Sequence, residues 1–183
     1  MQEYNDNQPW KSIKEQISTV IFDEGVTSVG KNAFKGYTTI NSVTWGSSLQ
    51  IIDESAFEVC IGIPSINLPN IQTIKSNAFN GCINVESITL PKVQTIETNS
   101  FKNCDKVTEL TLPSSTTSIG ADAFSEIASL KTVNYEGISN PCQNGIKAFN
   151  SIGTTIVNVD ITYEPTDFCG LQPITEKSCA LNG

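Results

Sequence analysis

Cysteine is the residue type with the most chemistry to offer in this 183-residue chain, and it occurs six times. Cys60, Cys82 and Cys104 stand at even spacing. Three thiolates in a line could hold a soft metal or pair as disulfides. Their neighbours are apolar, however, and Tyr37 and Ile127 fill the equivalent place in flanking segments. A free cysteine often packs as a small hydrophobe, so the column is expected in the core, with a disulfide between neighbours or a metal as the alternatives. Cys142, Cys169 and Cys179 lie in a less regular region. A disulfide between Cys169 and Cys179, or from Cys142 to either, would pin that region in an oxidising compartment and leave one thiol over.

Other chemistry is scarce. The chain has no histidine and its positive charge is all lysine, so acid–base catalysis and most zinc sites lose their commonest residue. No G-x-S-x-G, P-loop or G-x-G-x-x-G stands in the sequence. Neither an enzyme nor a cofactor is expected. A net charge of −8 without arginine argues against nucleic acid as a partner. No apolar run is long enough to span a membrane. The start, M-Q-E-Y-N-D-N-Q-P-W, lacks the basic and apolar regions of a signal peptide. Either such a segment has been removed, or the protein is cytoplasmic. Two polar columns remain. Asp53, Lys75 and Glu97 alternate in sign and suit surface ion pairs, while Gln50, Gln72 and Gln94 suit an amide ladder.

These columns exist because the chain repeats. Phe34, Phe57, Phe79, Phe101, Phe124 and Phe149 recur every 22 to 25 residues, each behind Ala or Ser. Five places before the first five stand Val29, Ile52, Ile74, Ile96 and Ile119. A fixed period of this length marks a solenoid, in which each coil buries its apolar face on the next. The six phenylalanines are therefore expected to form one buried stack.

Within a coil the first segment alternates, as in S-I-N-L and S-I-T-L, with Val20 and Phe22, Val43 and Trp45, Ile66 and Leu68, Ile88 and Leu90, Leu110 and Leu112, and Val133 and Tyr135 inward. Period two predicts a strand with one buried face. Pro69, Pro91 and Pro113 follow three of these segments and predict strand ends. A second segment, such as I-Q-T-I, predicts a shorter strand on the opposite wall. Asn32, Ser55, Asn77, Asn99 and Asp122, two before each Phe, are suited to N-cap a single helical turn. Gly36 and Gly81, two after it, suit a positive φ.

The organisation read from this is a helical cap over residues 1–16, repeats over 17–163 and a tail over 164–183. Trp10, Ile13 and Ile17 have helical spacing, with Trp10 covering the first coil. Ile156, Val159, Ile161 and Tyr163 predict a last first-wall strand, and Phe168 and Leu171 predict the tail's apolar contacts.

Val85 to Cys104, V-E-S-I-T-L-P-K-V-Q-T-I-E-T-N-S-F-K-N-C, resembles the unit of the BspA-like leucine-rich repeats, L-x-S-I-x-I-P-x-x-V-x-x-I-G-x-x-A-F-x-x-C. Pro9-Trp10 ahead of G-V-T-S-V-G also resembles the opening cap of that family, and the likeness covers about residues 9 to 163. It implies a leucine-rich-repeat superhelix of about six to seven coils, mostly β, with a parallel sheet on its concave wall. It also implies a non-catalytic surface or secreted protein of mucosal bacteria or parasitic protists, an adhesin-like binder of host or extracellular-matrix proteins. An intracellular scaffold and a carbohydrate-binding module of a wall protein are the alternatives.

The expected binding face is the outward side of the first-segment strands. There Ser65, Ser87, Glu109 and Thr132 stand in one column, and Asn67, Thr89, Thr111 and Asn134 in the next. Small hydroxyl and amide groups leave such a face open to a protein partner, and Glu109 would select a basic patch. Thr89, Thr111 and Asn67 would be central. The same residues also serve strand propensity and solubility. A monomer is expected.

Overall fold

The structure, a computed structural model, describes residues 8–152, 155–159 and 162–172. The alternating segments form the first wall: β1 (Thr19–Ile21), β3 (Ser42–Thr44), β5 (Ser65–Asn67), β7 (Ser87–Thr89), β9 (Glu109–Leu112), β11 (Thr132–Tyr135) and β12 (Ile156–Val159). The shorter segments form the second: β2 (Ser28–Val29), β4 (Ile51–Ile52), β6 (Thr73–Ile74), β8 (Thr95–Ile96) and β10 (Ser118–Ile119). All pairs are parallel and in the register of the repeat, so Ser65 faces Ser87 and Glu109 faces Thr132. The chain is a parallel β-solenoid with an apolar interior running its length.

The two walls differ in continuity. The second is one sheet, β2-β4-β6-β8-β10. The first falls into three pieces, β1–β3, β5–β7 and β9–β11–β12, rather than the single sheet expected there. Proline removes donors at both breaks, although Pro91 stands at the same closing place after β7 without separating it from β5. At strand starts, the Asn41, Glu86 and Lys131 amides donate back to the Ser18, Pro64 and Thr108 carbonyls. At the end of β11, the Glu136 amide donates to the Leu112 carbonyl. Pro64 and Pro69 occupy both of these donor places around β5, and Pro113 occupies the one that would close β9 onto β7. A residue without an N–H cannot make those bonds.

The Phe turns form a third axial ladder. The amides of Asn77, Phe79 and Gly81 donate to the carbonyls of Thr98, Ser100 and Lys102 one coil on, and the other coils repeat this. Asn32, Ser55, Asn77, Asn99 and Asp122 do not act as N-caps: they hold left-handed φ values of 53–58°. Asn and Asp reach this region at little cost because their short polar side chains bond locally, so their N–H groups can turn along the axis. The second left-handed column contains Gly36 and Gly81 as expected, and also Asn103, Glu126, Ser151 and, at +59°, Val59. The Phe rings stack at centroid spacings of 5.2–5.4 Å from Phe34 to Phe149, and Phe57, Phe79, Phe101 and Phe124 are fully buried.

Aromatic plates close both ends. Trp10 stacks on Phe34 at 5.5 Å, and its indole N–H donates to the Ala33 carbonyl while the Gln8 amide donates to that of Asn32. A 3₁₀ helix, Lys11–Gln16, follows. Its backbone kinks at Ile13, which is 46% exposed, so the cap packs through Trp10 and Ile17 and not through a helical stripe. At the other end Phe168 is fully buried and lies 5.9 Å from Phe149 and 4.9 Å from Tyr135. Leu171 packs against the same core. In β12 the pairing of Ile156 with Thr132 turns Ile156 outward and Val157 in, so the inward residues are Val157 and Val159. Ile161 lies outside the described residues.

Candidate binding face on the first wall

Period-two pleating puts the outward columns where the alternation predicts. Ser65, Asn67, Ser87, Thr89, Glu109 and Thr111 are exposed, and Thr132 and Asn134 half-exposed. Seven parallel strands, stiffened by the Phe stack behind them, present these groups at one strand spacing per coil. At the ends of the wall the columns become apolar, with Ile21 64% and Ile156 47% exposed.

The break between β7 and β9 shapes the centre of this face. Depressions of about 280 and 320 Å³ open at its two ends, and Ile88 and Thr111 line both. Thr89 and Pro113 line the first, Ser87 and Glu109 the second. Four of the expected site residues therefore surround this break, Ser87, Thr89, Glu109 and Thr111, with Asn134 one coil beyond Thr111. Ser65 and Asn67, on β5, stand one coil away, and Thr132 one coil beyond Glu109.

Two polar relays cross the coils. Asn158 Nδ2 donates to Asn134 Oδ1 at 2.7 Å, and Asn134 Nδ2 donates to Glu109 Oε1 at 2.7 Å. This diagonal path is not visible in straight columns. Gln50, Gln72 and Gln94, expected to form the amide ladder, are exposed, and among the described residues no side-chain hydrogen bond joins them. Their carbonyls instead carry the second wall: that of Gln72, for example, accepts from both Gln94 and Thr95. In the charged column Lys75 pairs with Asp53 at 2.9 Å, while Glu97 accepts from the Ser76 amide and hydroxyl.

The thiols separate into two kinds. Cys60, Cys82 and Cys104 are free and fully buried, and each S–H points to the Phe carbonyl of the preceding coil, from Cys60 to Phe34 at 2.9 Å and from Cys82 to Phe57 at 3.2 Å. Burial pushes the Cys60 thiol up to about 12 and those of Cys82 and Cys104 up as well, since a thiolate there would lose its hydration. Such thiols are poor nucleophiles and poor metal ligands. Among the described residues no cluster of His, Cys, Asp or Glu could hold a metal ion. Cys142 and Cys169 form a disulfide that ties β11's long outgoing loop to the segment carrying Phe168. Cys179 lies outside the described residues.

The repeat unit and the solenoid together define a class. The family model of the BspA type leucine rich repeat region matches six copies, over residues 12–131 and 63–165. The chain belongs to that family. Its structural neighbours are bacterial leucine-rich-repeat proteins. A T. pallidum leucine rich repeat protein has 24% identity and a TM-score of 0.61, over 81% of this chain and 78% of its own. A leucine-rich repeat protein of Bacteroides ovatus has 27% identity and a TM-score of 0.59, over 78% of this chain and 44% of its own. A leucine rich cell surface protein of Faecalibacterium prausnitzii has 24% identity and a TM-score of 0.52, over 65% and 39%. The chain thus spans less than half the length of the last two. No curated protein sequence matches it. No described helix is long and apolar enough to cross a membrane.

Proposed function

We propose that this chain is a non-catalytic, monomeric protein-binding module of a secreted or cell-surface protein, and that the first wall around β7 and β9 takes the partner. The observation that carries the reading is the break in that wall. It places Ser87, Thr89, Glu109 and Thr111 around an indentation on an otherwise rigid stack, so a partner gains contact area at little ordering cost. Asn67, Ser65, Thr132 and Asn134 form the margin. The Cys142–Cys169 disulfide supports an oxidising compartment, as does the cell-surface relative, and the reduced thiols do not oppose it because all three are buried. With few exposed aromatics and no arginine the affinity should be modest, about micromolar. Host or extracellular-matrix proteins are the partners to try.

Replacing Thr89 and Thr111 together by lysine should leave the melting temperature unchanged, since both side chains face solvent. Attachment to immobilised matrix and host-cell-surface proteins should be lost. Parent protein that attaches to none of them would overturn the adhesive reading, and a double variant that attaches as well as the parent would move the site off this wall.

A further inference from the structure

We infer that the break between β7 and β9 seats a cationic side chain, lysine or arginine, carried on an extended segment of a protein partner. The inference rests on reading the first wall as the binding face and names the chemistry that face selects.

Three observations carry it. The floor is apolar: Ile88 runs under both depressions, and Leu90, Pro91 and Pro113 line the smaller one. A lysine or arginine buries its methylene stem on such a surface while its charged head stays at the rim. The rim is acidic at both ends, with Glu136 lining one depression and Glu86 and Glu109 the other. Lys106 reaches Glu86 only at 4.0 Å, with both side chains more than half exposed, so it neutralises this end weakly.

The third observation is the relay. Asn158 donates to Asn134 and Asn134 to Glu109 Oε1, while no described group engages Oε2. The chain of amides holds the carboxylate in one rotamer and leaves one oxygen open beside the groove. A pre-oriented acceptor loses less entropy when a donor arrives, and a charged donor on a carboxylate makes one of the stronger hydrogen bonds available. The net charge of −8 adds a field that steers cations to the surface but does not choose the place. Glu109 chooses it.

The test uses a fluorescein-labelled peptide, Lys-Thr repeated four times, and the same peptide with norleucine for every lysine. Fluorescence anisotropy should show saturable binding of the lysine peptide and at least about 10-fold weaker binding of the norleucine peptide. Amide chemical-shift changes should centre on Ser87 to Thr111. Glu109→Gln keeps an oxygen to accept from Asn134, so the fold and relay persist, and binding should weaken about 10-fold. Glu24→Gln removes one charge from an exposed site in the first coil and should change binding by less than about 2-fold. Equal weakening by Glu24→Gln and Glu109→Gln would reduce the effect to net charge and overturn the inference, as would shift changes confined to other faces. Should Thr89→Lys with Thr111→Lys abolish protein attachment while Glu109→Gln leaves peptide binding intact, the binding face stands and the cationic occupant falls.

Discussion

The two walls of this solenoid are built from the same repeat, yet one is a single sheet and the other is cut twice. Second-wall strands are only two residues long, but five of them pair without interruption. First-wall strands are three or four residues long and separate on both sides of the β5–β7 pair. The difference shows where axial cohesion resides. On the second wall and the adjoining turns, backbone ladders, stacked rings and buried thiols all connect one coil to the next. The first wall can lose pairing because that side does not need it, and the loss leaves a groove. A structure can place a recognition face where its own stability is least committed.

Breaking the strong side should cost most. Phe79→Ala removes the middle of the ring stack and should destabilise by about 3–5 kcal/mol, with both neighbouring coils loosened. Ile88→Ala, at the cut in the weak side, should fall at the low end of the range of about 2–5 kcal/mol for such truncations. Denaturant titration of both variants gives the ordering, and equal costs would erase the distinction between walls.

The thiol column offers a titration of the same side. Cys60, Cys82 and Cys104 have folded pKa values raised above the ordinary value of 9.0. Raised acids bind protons more tightly when folded, so their contribution is fully present below pH 9 and declines as pH rises through the window from 9 to about 12. The loss should be visible by about pH 10 and should sum over the three thiols. A variant with all three replaced by alanine should lack that part of the alkaline decline. Thiol labelling should be slow in native protein and fast in denaturant.

The disulfide secures the end where the repeat gives out. It closes a loop with a sequence separation of 27, for which chain entropy suggests about 3.5 kcal/mol. Cys142→Ser with Cys169→Ser should lower stability by that order and raise the accessibility of Phe168 first, while the central coils keep their hydrogen exchange. Loss of protection throughout would mean that the cap governs the whole stack.

Much of this was legible in sequence and some was not, for physical reasons. The Phe period, the inward and outward alternation from β1 to β11 and the short second strands follow from side-chain pattern and appear where the pattern puts them, whereas in β12 the faces are exchanged. Asn77 and its column look the same in sequence whether they cap a helical turn or adopt a left-handed φ, because the same short polar side chain serves both. Pro113 was readable as a strand end, but its effect on the coil before it depends on which carbonyl loses a donor 23 residues away. The Asn134–Glu109 contact runs diagonally between coils, so the repeat columns, which line up position with position, do not bring the two residues together.

A smaller test probes a flaw within the strong side. Val59 is at φ +59°, the one β-branched residue in a described column that otherwise holds Gly36, Gly81, Asn103, Glu126 and Ser151. Val59→Asn should stabilise by about 1 kcal/mol, read from the denaturation midpoint. An unchanged or lowered midpoint would mean that the half-exposed Val59 side chain contributes packing that outweighs its backbone cost.

Native-state hydrogen exchange measures the contrast between the walls most directly. The amides of Phe57, Phe79 and Phe101, and those of Lys75 and Glu97 on the second wall, should exchange only through global unfolding. The amides of Leu90 and Thr111, at the cut between β7 and β9, should exchange by local opening at least about 100-fold faster. Equal protection on both walls would contradict the account, for it would mean that the first wall is a closed sheet with no groove for a partner.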